Sequence, residues 1–161
     1  MNLAGGLLFV NLSMLRKHTA LLKLNSMKHK NNHHDILILP EGEGRVYNCG
    51  NMTAIFKADE NETNEKYSIS EWWLEPHSDG PGAHSHEEND EVFYMLEGTL
   101  SFLVGDRWVE ATKGTFLRIP AKTIHDFKNT SDKKAGVLNF FIPGGFERNM
   151  PSIVKWFENN K

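Results

Sequence analysis

From Asp35 onward, short apolar runs alternate with clusters of turn-forming residues, and no long helical period separates one run from the next. That punctuation excludes strands joined by crossover helices, because a parallel pair needs a connection of a dozen or more residues. An antiparallel all-β sandwich or barrel remains. The spacing predicts strands over residues 36–39, 45–48, 53–57, 66–75, 83–86, 92–96, 99–104, 107–110, 115–119, 125–129 and 135–141. Glu97-Gly98 and Gly105-Asp106 stand between β-rich runs, where glycine accepts the positive φ of a two-residue hairpin loop. Residues 59–64 and 129–134 read as polar loops. Both faces of residues 67–75 are mixed, and neighbours on a strand point to opposite sides. Of Trp72 and Trp73, one therefore enters the core and the other lines a pocket or a subunit contact.

After Pro143-Gly144-Gly145 the tail 146–158 takes on a helical pattern. Pro151 is tolerated at its start, where a missing N–H would have no partner anyway. Ile153, Val154, Trp156 and Phe157 are too apolar for solvent, so this helix is expected to cap one barrel mouth or to pack on a second subunit.

A chain of 161 residues is long enough for one buried core and short for two, so residues 27–161 are read as a single domain. Residues 1–15 are apolar, and Arg16, Lys17 and Lys23 follow them. A secretory signal carries its positive charges first, and a membrane span needs roughly 20 apolar residues, which this stretch lacks. Residues 1–26 are expected to be a non-structural extension, with Met27 as the effective start. The formal charge of −3 comes with no clustered basic face, which speaks against nucleic acid as a partner. Nor is a membrane partner expected. Cys49 stands alone, so no internal disulfide can form, and a reducing cytoplasm fits this usage.

His84-Ser85-His86 sets two imidazoles two residues apart. On an extended chain both rings face one side, where they can grip one ion. The pair opens a segment, 82–98, in which His86 is followed by four residues, Glu91, six residues and Gly98. A second segment, 114–129, holds Gly114, Pro120, His125 and Asn129. These segments resemble the two motifs of the cupin superfamily. The first motif reads H-x-H, three or four residues, E, six residues, G; the second reads G, five residues, P-x-G-x-x-H, three residues, N. Two glycines are replaced: Ser78 stands at the family's leading glycine and Lys122 at the glycine two after the motif proline. A turn that takes glycine for its positive φ must here accept a lysine or change its type.

The resemblance implies a double-stranded β-helix, or jelly-roll, barrel with a short C-terminal helix. It also implies one divalent metal ion, among Fe(II), Mn(II), Ni(II), Co(II) and Zn(II), held by His84, His86, Glu91 and His125 with open positions beside it. Of the carboxylates in residues 87–91, Glu91 is chosen by its gap to Gly98 and by the strand face it shares with Phe93 and Met95. As a ligand able to shift, it is also the candidate catalytic base toward an incoming hydroxyl. Phe93, Met95 and Phe127 are expected to form an apolar pocket wall. Asp126 and Lys128 alternate away from that face, and His77 is expected on a surface loop. The implied function is a metal-dependent dioxygenase of the quercetinase-like type, acting on a small enolisable or hydroxylated organic substrate. The alternatives are a cupin that binds a small molecule without turnover and a metal-assisted isomerase. Cupin barrels often pair edge strands between subunits, so a homodimer is expected.

Overall fold

The computed structural model describes residues 36–160, so the expected extension 1–26 and the start at Met27 lie outside the described residues. Two antiparallel sheets face each other. One has six strands in the order β1 (Arg45–Cys49), β2 (Met52–Ala58), β3 (Ser68–Leu74), β9 (Ala135–Ile142), β4 (Asp90–Glu97) and β7 (Phe116–Ile119). The other has three, β6 (Arg107–Thr112), β5 (Thr99–Val104) and β8 (His125–Lys128). This is the jelly-roll expected of the sequence, with its short helix after the last strand.

Period-two burial builds the interior. Met52, Ala54 and Phe56 on β2, Trp72 and Leu74 on β3, and Phe93 and Met95 on β4 all point between the sheets. From the smaller sheet, Leu100 and Phe102 on β5 and Phe127 on β8 meet them. The rings of Phe93, Phe102 and Phe127 lie 5.1–5.9 Å apart, within the range of favourable aromatic pairs. Each such burial contributes about 1.5–3 kcal/mol.

Several local expectations are corrected. Glu97-Gly98 is not a hairpin loop, because β4 and β5 belong to different sheets and the pair turns a corner between them. Gly98 has φ +68°, and a Cβ there would meet the Lys134 carbonyl at 2.9 Å. The requirement for glycine is real, but it reads alike for a hairpin and for a corner. Gly105-Asp106 does join a hairpin, with Val104 opposite Arg107. Residues 36–39 form no strand, and Ile36 and Ile38 are 88% and 78% exposed. Apolar character suggests a strand, but only a partner's N–H and C=O groups make one. The polar loop at 59–64 contains a one-turn helix, α1 (Glu60–Thr63), where the Asp59 N–H donates to Glu62 Oε2 at 2.9 Å in a capping box.

A 3-10 turn (Glu147–Asn149) leads into α2 (Met150–Asn159), with Pro151 in its first turn and Met150 fully buried. A polar clasp fixes this tail. Asp59, itself buried, accepts hydrogen bonds from the backbone N–H of Gly145 and of Glu147. Arg45 bridges Glu62 and Glu147, and the Tyr47 hydroxyl donates to Glu147 at 2.8 Å. Phe146, caught between these anchors, is stacked on Phe56 and turned toward the open end of the barrel.

Candidate metal centre

Residues 83–86 do not form a regular strand, yet the logic of the H-x-H spacing survives. His84 and His125 form an isolated β-bridge, His84 N–H to His125 O at 3.0 Å and His125 N–H to His84 O at 2.8 Å. Two residues on, the Lys122 N–H donates to the His86 carbonyl at 2.7 Å. The segment is therefore extended and held against the edge of β8, so both rings fall on the same side. That second contact depends on Lys122 adopting φ +66°, the conformation its motif reserves for glycine.

Glu91 enters from β4. One ligand atom from each of His84, His86, Glu91 and His125 lies within 4.8 Å of all the others, close enough for one ion. Carbonyls set two of the rings. His84 Nδ1 donates to Gly82 O at 2.7 Å and His125 Nδ1 donates to Thr123 O at 2.8 Å, because a carbonyl can only accept. Their Nε2 lone pairs are thereby left for the interior. The Nε2 atoms of His86 and His125 are buried without a hydrogen-bond partner, although Glu91 oxygens stand 3.0 and 3.5 Å away. Each unsatisfied buried acceptor costs about 1–3 kcal/mol. A cation taking both lone pairs and the carboxylate removes that cost, so the donor set fits a divalent metal ion.

Electrostatics agree with the donor roles of Glu91 and His84. Burial pushes the Glu91 carboxyl up, but its contacts with His125 and His86 outweigh burial and hold it below its ordinary range. Burial also lowers His84, favouring the neutral imidazole that can ligate. For His125, burial acts downward, but Glu91, the Thr123 carbonyl and Asp126 together hold it above its ordinary value, so a cation binding there must displace a proton.

Two cavities meet at this cluster. A vestibule of about 640 Å³ opens to solvent and reaches His84 and His86 past Phe141, Phe146 and Trp156. A smaller chamber of about 60 Å³ lies inside, against His84 and Glu91. Phe93 and Phe127 line the chamber as expected. Met95 lines neither cavity and lies fully buried in the core. It shares the face of Glu91, but four residues of strand carry it roughly 13 Å away. Trp72 combines two roles left separate by the sequence, since it is buried and lines the chamber with its indole N–H on Ser70. Trp73 packs on the opposite face over Gly136, where a Cβ would lie 2.4 Å from its ring. His77 is exposed and paired with Asp132 at 2.7 Å. Asn129 acts as a staple, its amide donating to the carbonyls of Leu74, Glu75 and Lys133.

One residue goes unmarked in the sequence, and another, expected to face away, acts on the site. Asn139 on β9 is buried and its amide faces Glu91 Oε2 at 3.4 Å. A single polar residue among the buried positions of an apolar strand was its signal. Asp126 turns back from its outward position to accept from the N–H of Gly82 at 3.2 Å and of Phe127 at 2.8 Å. It thus anchors the peptide unit whose neighbouring carbonyl orients His84.

A double-sheet jelly-roll gathering three histidines and a glutamate at one mouth is the architecture of a metal-binding β-barrel. Residues 70–141 match the family model described as the cupin domain. Quercetin 2,3-dioxygenase of Bacillus subtilis (strain 168) is 32% identical over 118 residues, covering 68% of this chain and 32% of that protein. The chain thus spans about a third of that relative's length. Among solved structures, TT1209 from Thermus thermophilus aligns with TM-score 0.58 and 26% identity, covering 67% of this chain and 98% of that one. An RmlC-like cupin from Shewanella frigidimarina aligns with TM-score 0.60 and 15% identity, covering 71% and 96%. This chain belongs to the cupin superfamily.

Proposed function

We propose that this chain holds one divalent metal ion on His84, His86, Glu91 and His125 and acts as a dioxygenase on a small enolisable or hydroxylated organic substrate. The observation that carries the reading is the pair of buried, unpartnered Nε2 atoms of His86 and His125 flanking Glu91 beside an open vestibule. The identity to a quercetin dioxygenase supports the reaction class. When bound, such an ion supplies a Lewis acid and, for its redox-active candidates, electrons toward dioxygen.

The protein's own share is orientation, proton handling and exclusion of water. The carbonyls of Gly82 and Thr123 fix the tautomers of His84 and His125. Asn139 steadies Glu91 Oε2, and Glu91 accepts the proton of the incoming substrate hydroxyl. Phe141, Phe146 and Trp156 offer apolar surface to the organic part of the substrate within a volume typical of small-molecule sites.

Elemental analysis of wild type and His86→Ala, paired with oxygen consumption against quercetin, thiols and β-diketones, tests this reading. Stoichiometric metal in wild type alone, with oxygen uptake on one substrate class, is the expected result. Metal-loaded protein that consumes no oxygen with any of them sinks the dioxygenase assignment.

We further propose a homodimer and a cytoplasmic location. For the dimer, the support is a row across all six strands of the larger sheet, Val46, Ile55, Glu71, Leu138, Tyr94 and Phe116, mostly apolar and on the outer face. Val46, Tyr94 and Phe116 in that row are exposed. For the location, it is the single buried Cys49. Among the described residues no helix is long and apolar enough to cross a membrane.

A further inference from the structure

We infer that the inner chamber is a binding site for a small nonpolar gas molecule, distinct from the vestibule that receives the organic substrate. Naming that gas as dioxygen rests on the dioxygenase reading above; the site itself does not.

Size separates the two cavities first. The vestibule, at about 640 Å³, falls within the roughly 300–1,000 Å³ of small-molecule pockets, whereas the chamber, at about 60 Å³, falls far below it. Volume alone would still admit water, which needs only about 10–15 Å³ of such space. Polarity decides against water. Of the eleven residues lining the chamber, only His84, Glu91 and Asn139 are polar, and the remaining eight are apolar. Those three polar groups already face one another, with Asn139 turned to Glu91 and Glu91 beside His84 in the ligand cluster. Water placed against Met52, Trp72, Phe93 or Phe127 finds none of the two to four partners it requires. Apolar cavities of this kind stay dry and take up nonpolar guests.

Position supplies the second argument. His84 and His86 border the vestibule, while His84 and Glu91 border the chamber, so the ligand cluster is approached from two sides. Phe146, Ile153 and Phe157 belong to both linings and form the partition between them. A nonpolar gas favours such an interior over water. It can then wait on the chamber side of the cluster while the organic substrate occupies the other.

Xenon is the probe. Methyl-resolved NMR of the full chain under xenon pressure is expected to show saturable shifts at Met52 and Ile153 and none at the core methyls of Leu100 and Ala111, which line neither cavity. Met52→Phe fills the chamber and should weaken xenon binding at least about tenfold. Ile153→Phe narrows it from the exposed side and should do the same, which keeps the test open should the Met52 variant misfold. Shifts absent from Met52 and Ile153, or spread evenly through the core, or unchanged by both substitutions, overturn the inference. With quercetin as the organic probe, Met52→Phe should raise the KM for dioxygen about tenfold and that for quercetin less than about twofold. Xenon bound in the chamber of a protein that never turns over quercetin upholds the gas site and removes only the assignment of dioxygen.

Discussion

Replacing Lys122 by glycine should stabilise this protein, although it deletes a whole side chain. Lys122 sits at φ +66°, is exposed, and contributes only its backbone N–H to the structure, through the bond to the His86 carbonyl. An L-residue in that left-handed conformation costs about 1–2 kcal/mol that glycine does not incur. Glycine's greater freedom in the unfolded chain takes back about 0.4–1 kcal/mol. The two ranges differ by about 0–1.6 kcal/mol, so the central gain for Lys122→Gly is about 0.8 kcal/mol, or an increase in Tm of about 2–4 °C for a domain of this size. Lys122→Ala is the control, since it also removes the side chain but keeps the Cβ and its strain; its effect should stay within about 0.5 kcal/mol. Thermal and urea unfolding with chelator present, so that no bound ion contributes, measure both variants. A Lys122→Gly protein no more stable than Lys122→Ala refutes the argument that this turn is strained.

Asp126→Ala frees the N–H of Gly82 and so loosens the carbonyl that orients His84. Chelator competition should show metal affinity about 10–100-fold weaker, with Asp126→Asn restoring most of it through its retained amide oxygen. The Cys49 thiol is pushed up to about 11 by burial, whereas in the unfolded chain it titrates near the ordinary thiol value of 9.0. Between those values the unfolded chain releases a proton that the folded chain keeps, so stability should fall as pH rises through that window. Cys49→Ala should flatten that limb of the pH–stability curve, and a thiol reagent should label the wild type only as it unfolds. Tyr94→Glu places a charge beside Phe116 at one end of the outer row and should convert the proposed dimer to a monomer in sedimentation experiments without lowering metal content.

The sequence carried the site further than it carried the connections. The gaps between His84, His86, Glu91 and Gly98 are legible because side chains alternate on an extended chain, whether or not a regular strand forms. That is why the four groups converge even though residues 83–86 make only an isolated bridge. Corner and hairpin at Glu97-Gly98 are indistinguishable locally, since both ask for positive φ, and only strand pairing separates them. Periodicity fixes the side on which Met95 lies but not its distance along the barrel, which is why the pocket-wall role expected of it is not where it sits. Asn139 and Asp126 act through contacts with residues 48 and 44 positions away, which no local pattern encodes. The N-terminal apolar run at 36–39 shows the same limit, as propensity names candidates for pairing and not their partners.

The partition made by Phe146, Ile153 and Phe157 comes from segments that follow β9 in the chain. During translation, every donor atom of the cluster therefore leaves the ribosome before the stopper that will cover it. The donor cluster is thus complete in the chain before the residues that wall off its inner side, while its outer side stays open through the vestibule. The shape of the inner chamber therefore depends on the clasp of Arg45, Asp59 and Glu147 that seats this tail, and not on the barrel alone.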